Sequence, residues 1–139
     1  MFQTVYVPSS VLTEMADSRA PASVRSWVNS PPEWLRVMAP SDSTSSTFML
    51  DQGEADAISL ALELGITTIL IDERRGSRVA LAQGLAPLPT LALLEKAAAA
   101  GLIDLPAVLR KLQGTNIRVP QNLIDAALQR DVRRRANDR

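Results

Sequence analysis

Glu54 and Asp72 are the side chains of this 139-residue sequence whose positions suggest chemistry. They lie in DQGEADAISLALELGITTILIDERRG, residues 51–76, at the start of an apolar helical pattern and at the end of a β-branched run. Structural roles compete with the chemical one. Asp51 and Glu54 fit a capping box, and Asp72 fits the N-cap of a helix from Glu73 to Gln83. Arg74, Arg75 and Arg78 follow at once. Arg74 and Arg78 are one helical turn apart, so their guanidinium groups can bind one run of phosphates or neutralise Glu73 and its acidic neighbours. The chain has no Cys and no His, which excludes thiol and imidazole chemistry and the usual zinc sites. Catalysis, if any, rests on carboxylates, hydroxyls, Lys, Arg or Tyr6.

The elements that must position these groups follow from periodicity. Ala55, Ile58, Ala61 and Leu62, with Ala57, Leu60 and Leu64, predict a helix apolar on nearly every side, one that must be buried. Gly65 suits its C′ position, where positive φ costs glycine nothing. Ile66 to Ile71 predicts a strand covered on both faces in a parallel sheet. Asp72 then lies at the carboxyl end of a strand, where open parallel sheets bind ligands. Asp56, two residues after Glu54, points about 200° away around the helix.

Upstream, Thr4 to Val7 reads as a strand stopped by Pro8, and Ser9 or Ser10 caps a helix through Asp17. Val11, Leu12 and Met15 share one stripe, and Glu14 on sequence grounds is an ordinary surface glutamate. Ala20, Val24, Trp27 and Val28 predict an amphipathic helix, Leu35 to Ala39 a strand, and 40–47 a polar loop. Trp27 and Trp34 fit either core packing or stacking on single-stranded bases. Downstream, Leu85 to Leu88 reads as a short strand and Leu91 to Ala100 as a helix closed by Gly101. Helices follow at Leu105 to Leu112 and after Pro120, where Leu123, Ile124, Ala127 and Leu128 make an apolar face. Arg133, Arg134 and Arg135 at the end favour the helix dipole or bind RNA or a partner.

GEADAISLALELG followed by ILIDERRG resembles the heart of a PIN domain, in the branch of small predicted nucleases with an Ile-Asp-Glu-Arg-Arg-Gly signature. VYVPSSVLTEM, the stretch from Gly84 to Thr90 and the alanine-rich helix ending in GLI agree, so the likeness runs from residue 4 to about 130. The resemblance implies an α/β fold: a PIN-like three-layer α/β/α arrangement around a short parallel sheet, as one domain over 1–139 with C-terminal helices from about 91 to 135. It implies that Glu14, in its Val-x-x-Glu position, joins Glu54 and Asp72 as catalytic and metal-binding residues, and that Arg74, Arg75 and Arg78 approach RNA. Two like charges ~4 Å apart repel by ~4 kcal/mol at an effective dielectric near 20, so such a cluster calls for protonation or a cation. Few hard oxygen ligands with room for water select Mg²⁺ or Mn²⁺, which can activate water for in-line attack on a phosphodiester.

One departure stands out. PIN domains usually open with a strand ending in an aspartate at the centre of the sheet, and this sequence begins where the second strand is expected. The expectation is an N-terminally incomplete domain lacking the first central strand, whose neighbours either close up into a collapsed sheet or pair with another chain.

Composition sets mild bounds. At 46% hydrophobic, the chain has enough apolar residues for a core of its own. No apolar run approaches the ~18 residues of a membrane span and no signal peptide is evident, so a cytoplasmic location is expected. Residues 1–73 hold ten acids and three bases, and residues 74–139 five acids and twelve bases. An acidic half suited to a cation thus precedes a basic half suited to a polyanion. Taken with the resemblance, the expected function is a metal-dependent endoribonuclease, the toxin of a toxin–antitoxin pair, inactive if the missing Asp is not supplied. The expected partners are RNA, an antitoxin protein and a second copy of the chain. The alternatives are a non-catalytic protein that binds nucleic acid or an antitoxin and, more weakly, a domain for a phosphorylated ligand, which lacks a Gly-rich phosphate loop.

Overall fold

A computed structural model describes residues 1–42 and 48–139, which leaves most of the predicted Ser-rich loop outside the described residues. The chain divides into two compact units, Phe2–Leu88 and Pro89–Arg139.

The first unit carries the acidic residues of interest. Its elements are β1 (Val5–Pro8), α1 (Ser9–Met15), α2 (Ala22–Asn29), β2 (Leu35–Met38), α3 (Gln52–Leu64), β3 (Thr68–Leu70), α4 (Arg74–Ala82) and β4 (Ala86–Leu88). The predicted all-round apolar helix is α3, and Ala55, Ile58, Leu60 and Ala61 on it are buried. Burying a side chain the size of Ile58 contributes ~1.5–3 kcal/mol. Gly65 ends the helix in the left-handed conformation, φ 67°, as its position predicts. Ile58 and Ala61 pack with Ile69, Ile71, Ala80 and Leu85, so α3, β3, α4 and the approach to β4 share one core.

The strands form two separate two-stranded sheets, both parallel. In one, Val5 pairs with Leu35 and Val7 with Val37; in the other, Thr68 pairs with Ala86 and Leu70 with Leu88. The expected closing-up into one collapsed sheet is not found: β1 and β3 do not pair with each other, and each is paired along a single edge. Coverage of β3 on both faces is also not found: Ile69 is buried, but Thr68 and Leu70 are exposed, Leu70 to 49%. The β-branched run reads as fully buried, yet it packs on the core from one side only, through Ile69 and Ile71.

A buried carboxylate ties α1 to α3. Asp56, 6% exposed, accepts hydrogen bonds from Ser10 Oγ at 2.6 Å and Gln52 Nε2 at 2.7 Å. Those bonds offset the cost of placing a carboxylate out of water. Trp27 and Trp34 lie with ring centroids 6.3 Å apart at 49°, each more than 40% exposed, so they pack on one another rather than in the core.

The second unit is helical: α5 (Thr90–Ala99), α6 (Leu105–Gln113) and α7 (Gln121–Asn137). Ala98, Leu105, Leu109, Ile124 and Ala127 form its core. Leu123, predicted on the apolar face of the last helix, is 47% exposed. The arginine run is largely occupied within this unit. Arg134 and Arg135 both pair with the buried Asp131, and Arg135 also reaches Asp104.

Candidate functional site

Two close approaches at glycines bring the acidic residues together. Gly53, in the first turn of α3, faces α1: a β-carbon there would lie 3.0 Å from Glu14 Oε1 and 3.0 Å from Val11 Cγ2. The absence of a side chain at Gly53 is what lets α1 bring Glu14 over the start of α3, beside Glu54. Gly76, in the first turn of α4, does the same from the other side. A β-carbon there would fall 2.5 Å from Ile71 Cδ1 and 3.2 Å from Glu54 Oε1.

The Gly76 amide is held by Glu73. Glu73, and not Asp72, is the N-cap of α4, and its Oε2 accepts the Gly76 N–H at 2.9 Å. The carboxylates of Glu54 and Glu73 therefore both reach Gly76. At the other helix start, Asp51 is the N-cap of α3 but its side chain makes no capping bond.

The electrostatics follow from this crowding. Partial burial pushes the Glu54 carboxyl above the usual carboxylate range, and the negative charges of Glu73, Asp51 and Glu14 push it further in that order. The Arg75 guanidinium acts in the opposite sense. Glu54 is thus the centre of an acidic cluster in which one cation, Arg75, is already placed.

Of the residues singled out from the sequence, Glu14 and Glu54 come together, with Arg75 beside them. Asp72 is exposed at the end of β3, next to the cluster in sequence but not among the charges that shift Glu54. Arg74 and Arg78 are exposed on α4. Glu73 and Asp51 are the members that sequence reasoning placed outside the site. The signal for Glu73 is its place in the Asp-Glu-Arg-Arg run, one residue after Asp72, the N-cap candidate in the sequence.

The donor set suits a hard divalent cation, because it consists of carboxylate oxygens. A three-carboxylate cage does not fit: among the described residues, no three Asp, Glu, His or Cys side chains are grouped closely enough to hold an ion. A site of the Mg²⁺ kind, with one or two carboxylates and the remaining positions left to water and phosphate, does fit Glu54 and Glu73.

A family model described as a PIN domain matches residues 1–132. The chain belongs to the PIN-domain family. Comparison with curated proteins and with solved structures gives no match. The mixed α/β architecture with short parallel strand pairs is that of a PIN-like fold. PIN domains are a nuclease-type family that generally uses divalent metals and acts on nucleic acid. No described helix of this PIN domain is long and apolar enough to cross a membrane.

Proposed function

We propose that this PIN domain is a divalent-metal-dependent endoribonuclease, cytoplasmic, and the toxin of a toxin–antitoxin pair. The observation that supports it most is Glu54: a partly buried carboxylate pushed upward by Glu73, Asp51 and Glu14, beside a helix carrying three arginines. That arrangement is unfavourable for the protein alone and favourable once a cation is near.

Glu54 and Glu73 are the residues that would hold Mg²⁺ or Mn²⁺, with Glu14 and Asp72 at the edge of the site. The ion supplies Lewis acidity for phosphodiester hydrolysis when bound. Everything else falls to the chain. Arg74 and Arg78, exposed and one turn apart on α4, bind successive phosphates of RNA, and Arg75 stays against the carboxylates. Glu73 fixes the start of α4 through Gly76 and so fixes where those arginines stand.

A second reading has its own support. The absence of a three-carboxylate group among the described residues favours a protein that binds RNA or an antitoxin without cutting. One experiment separates them: Mn²⁺ titration by calorimetry, with cleavage of a labelled single-stranded RNA in Mg²⁺ and in EDTA. Saturable Mn²⁺ binding with EDTA-sensitive cleavage supports the nuclease. RNA retention in a gel shift without cleavage supports the binding protein.

A further inference from the structure

The first unit contains a groove of about 620 Å³, and both sheets open onto it. Val5, Tyr6 and Val7 of β1 form one wall, Thr68, Ile69 and Leu70 of β3 another, and Ala57, Leu60, Ala61 and Leu64 of α3 lie between them. From β2 only Leu35 borders the groove, and β4 does not reach it. The spatial order is therefore β2, β1, groove, β3, β4.

The backbone on the two walls is directed into it. Val5 N–H donates to Trp34 O and Val5 is in register with Leu35, so the main-chain groups of Val5 and Val7 serve β2. Successive residues of a strand turn their main-chain groups to opposite edges, and those of Tyr6 consequently face the groove. On the other wall, Ala86 N–H donates to Thr67 O and Ile71 N–H to Leu88 O. With Thr68 in register with Ala86, the groups of Ile69 serve β4 and those of Thr68 and Leu70 face the groove. Amide donors and carbonyl acceptors thus stand on both walls, two residues apart on β3, over an apolar floor. Only an extended polypeptide presents matching groups on both of its edges at that repeat, which is roughly 6.6–6.8 Å.

We propose that this groove is an acceptor for one β-strand of another polypeptide, a segment with apolar residues at the alternate positions that face α3. It would join the two pairs into one sheet. A second copy of this chain is a poor occupant: each described strand is already paired along one edge, and a strand entering the groove must be free on both. The inference does not depend on the nuclease reading.

The test uses the full chain and a fluorescein-labelled seven-residue peptide alternating Val and Thr, followed by anisotropy. A second peptide has the same side chains but is N-methylated at every other residue, which removes donors along one edge. Saturable binding of the first peptide, about tenfold tighter than the second, is the expected result. The Thr68→Pro variant removes one groove-facing N–H without touching the ladder to β4; with an unchanged circular dichroism spectrum it should bind the first peptide several-fold more weakly. Equal affinity for both peptides would reduce the groove to a nonspecific apolar surface and overturn the proposal. So would no binding at all, or a dimer in sedimentation equilibrium that the peptide cannot dissociate.

Discussion

Glu54 Oε1 lies 3.2 Å from the place a β-carbon would take on Gly76, so the acidic centre of the site is shaped by a missing side chain. The same β-carbon would come within 2.5 Å of Ile71 Cδ1, and Ile71 is packed in the core. Gly76→Ala gains up to ~1 kcal/mol of helix propensity and loses more to overpacking. The expected net result is a destabilisation of ~1–2 kcal/mol in urea unfolding, together with weaker Mn²⁺ binding as Glu54 is displaced.

Glu54 gives stability a pH dependence with a definite sign. Its folded pKa is raised above the unfolded value, so the folded state holds this proton more tightly. The stabilisation is fully present below the ordinary glutamate range and is lost as pH rises through the raised value. Glu54→Gln, in EDTA, should therefore be more stable than the parent protein at pH 7, with the difference shrinking toward zero below the ordinary glutamate range. Urea midpoints at several pH values check this, and a difference that grows on acidification would have the sign wrong.

Asp72 and Glu73 separate two roles at one strand end. Glu73→Ala removes the cap bonded to Gly76 and should cost ~0.5–2 kcal/mol, along with divalent-ion binding. Asp72→Asn should leave stability nearly unchanged. If Asp72 belongs to the metal set, Mn²⁺ binding disappears in that variant; retained affinity removes Asp72 from it.

Asp131 is the most consequential acid of the second unit. Its side chain is 3% exposed and pairs with Arg134 at 2.7 Å and Arg135 at 2.8 Å. Arg134 and Arg135 are partly exposed and keep Asp138 and Asp104 as partners, so the loss is that of the charge-assisted hydrogen bonds alone. Asp131→Ala should cost ~1–3 kcal/mol and lower the thermal midpoint, with no change in Mn²⁺ affinity. Arg133→Ala, on the exposed end of the same helix, should leave the midpoint in place.

The local readings and the tertiary ones part at identifiable residues. The helix over 52–64, its stop at Gly65 and the strand ending before Asp72 were legible because apolar spacing and a left-handed glycine act over one or two turns of chain. Glu54 was legible for the same reason, as an acid at the start of an apolar helix. Sequence spacing put Asp72 at the cap and in the site, but the backbone turned one residue later and gave the cap to Glu73. Thr68 and Leu70 read as buried by their β-branched company, yet burial depends on what packs on the second face. The approach of Glu14 over Gly53 and of Glu54 to Gly76 lay beyond the sequence, since each joins groups more than 20 residues apart. By itself the sequence determined which segments become helix and strand and which residue types are available for chemistry. Only the tertiary structure decided which carboxylates share a field and which strand edges open onto the groove, because charge coupling and hydrogen bonding act through space.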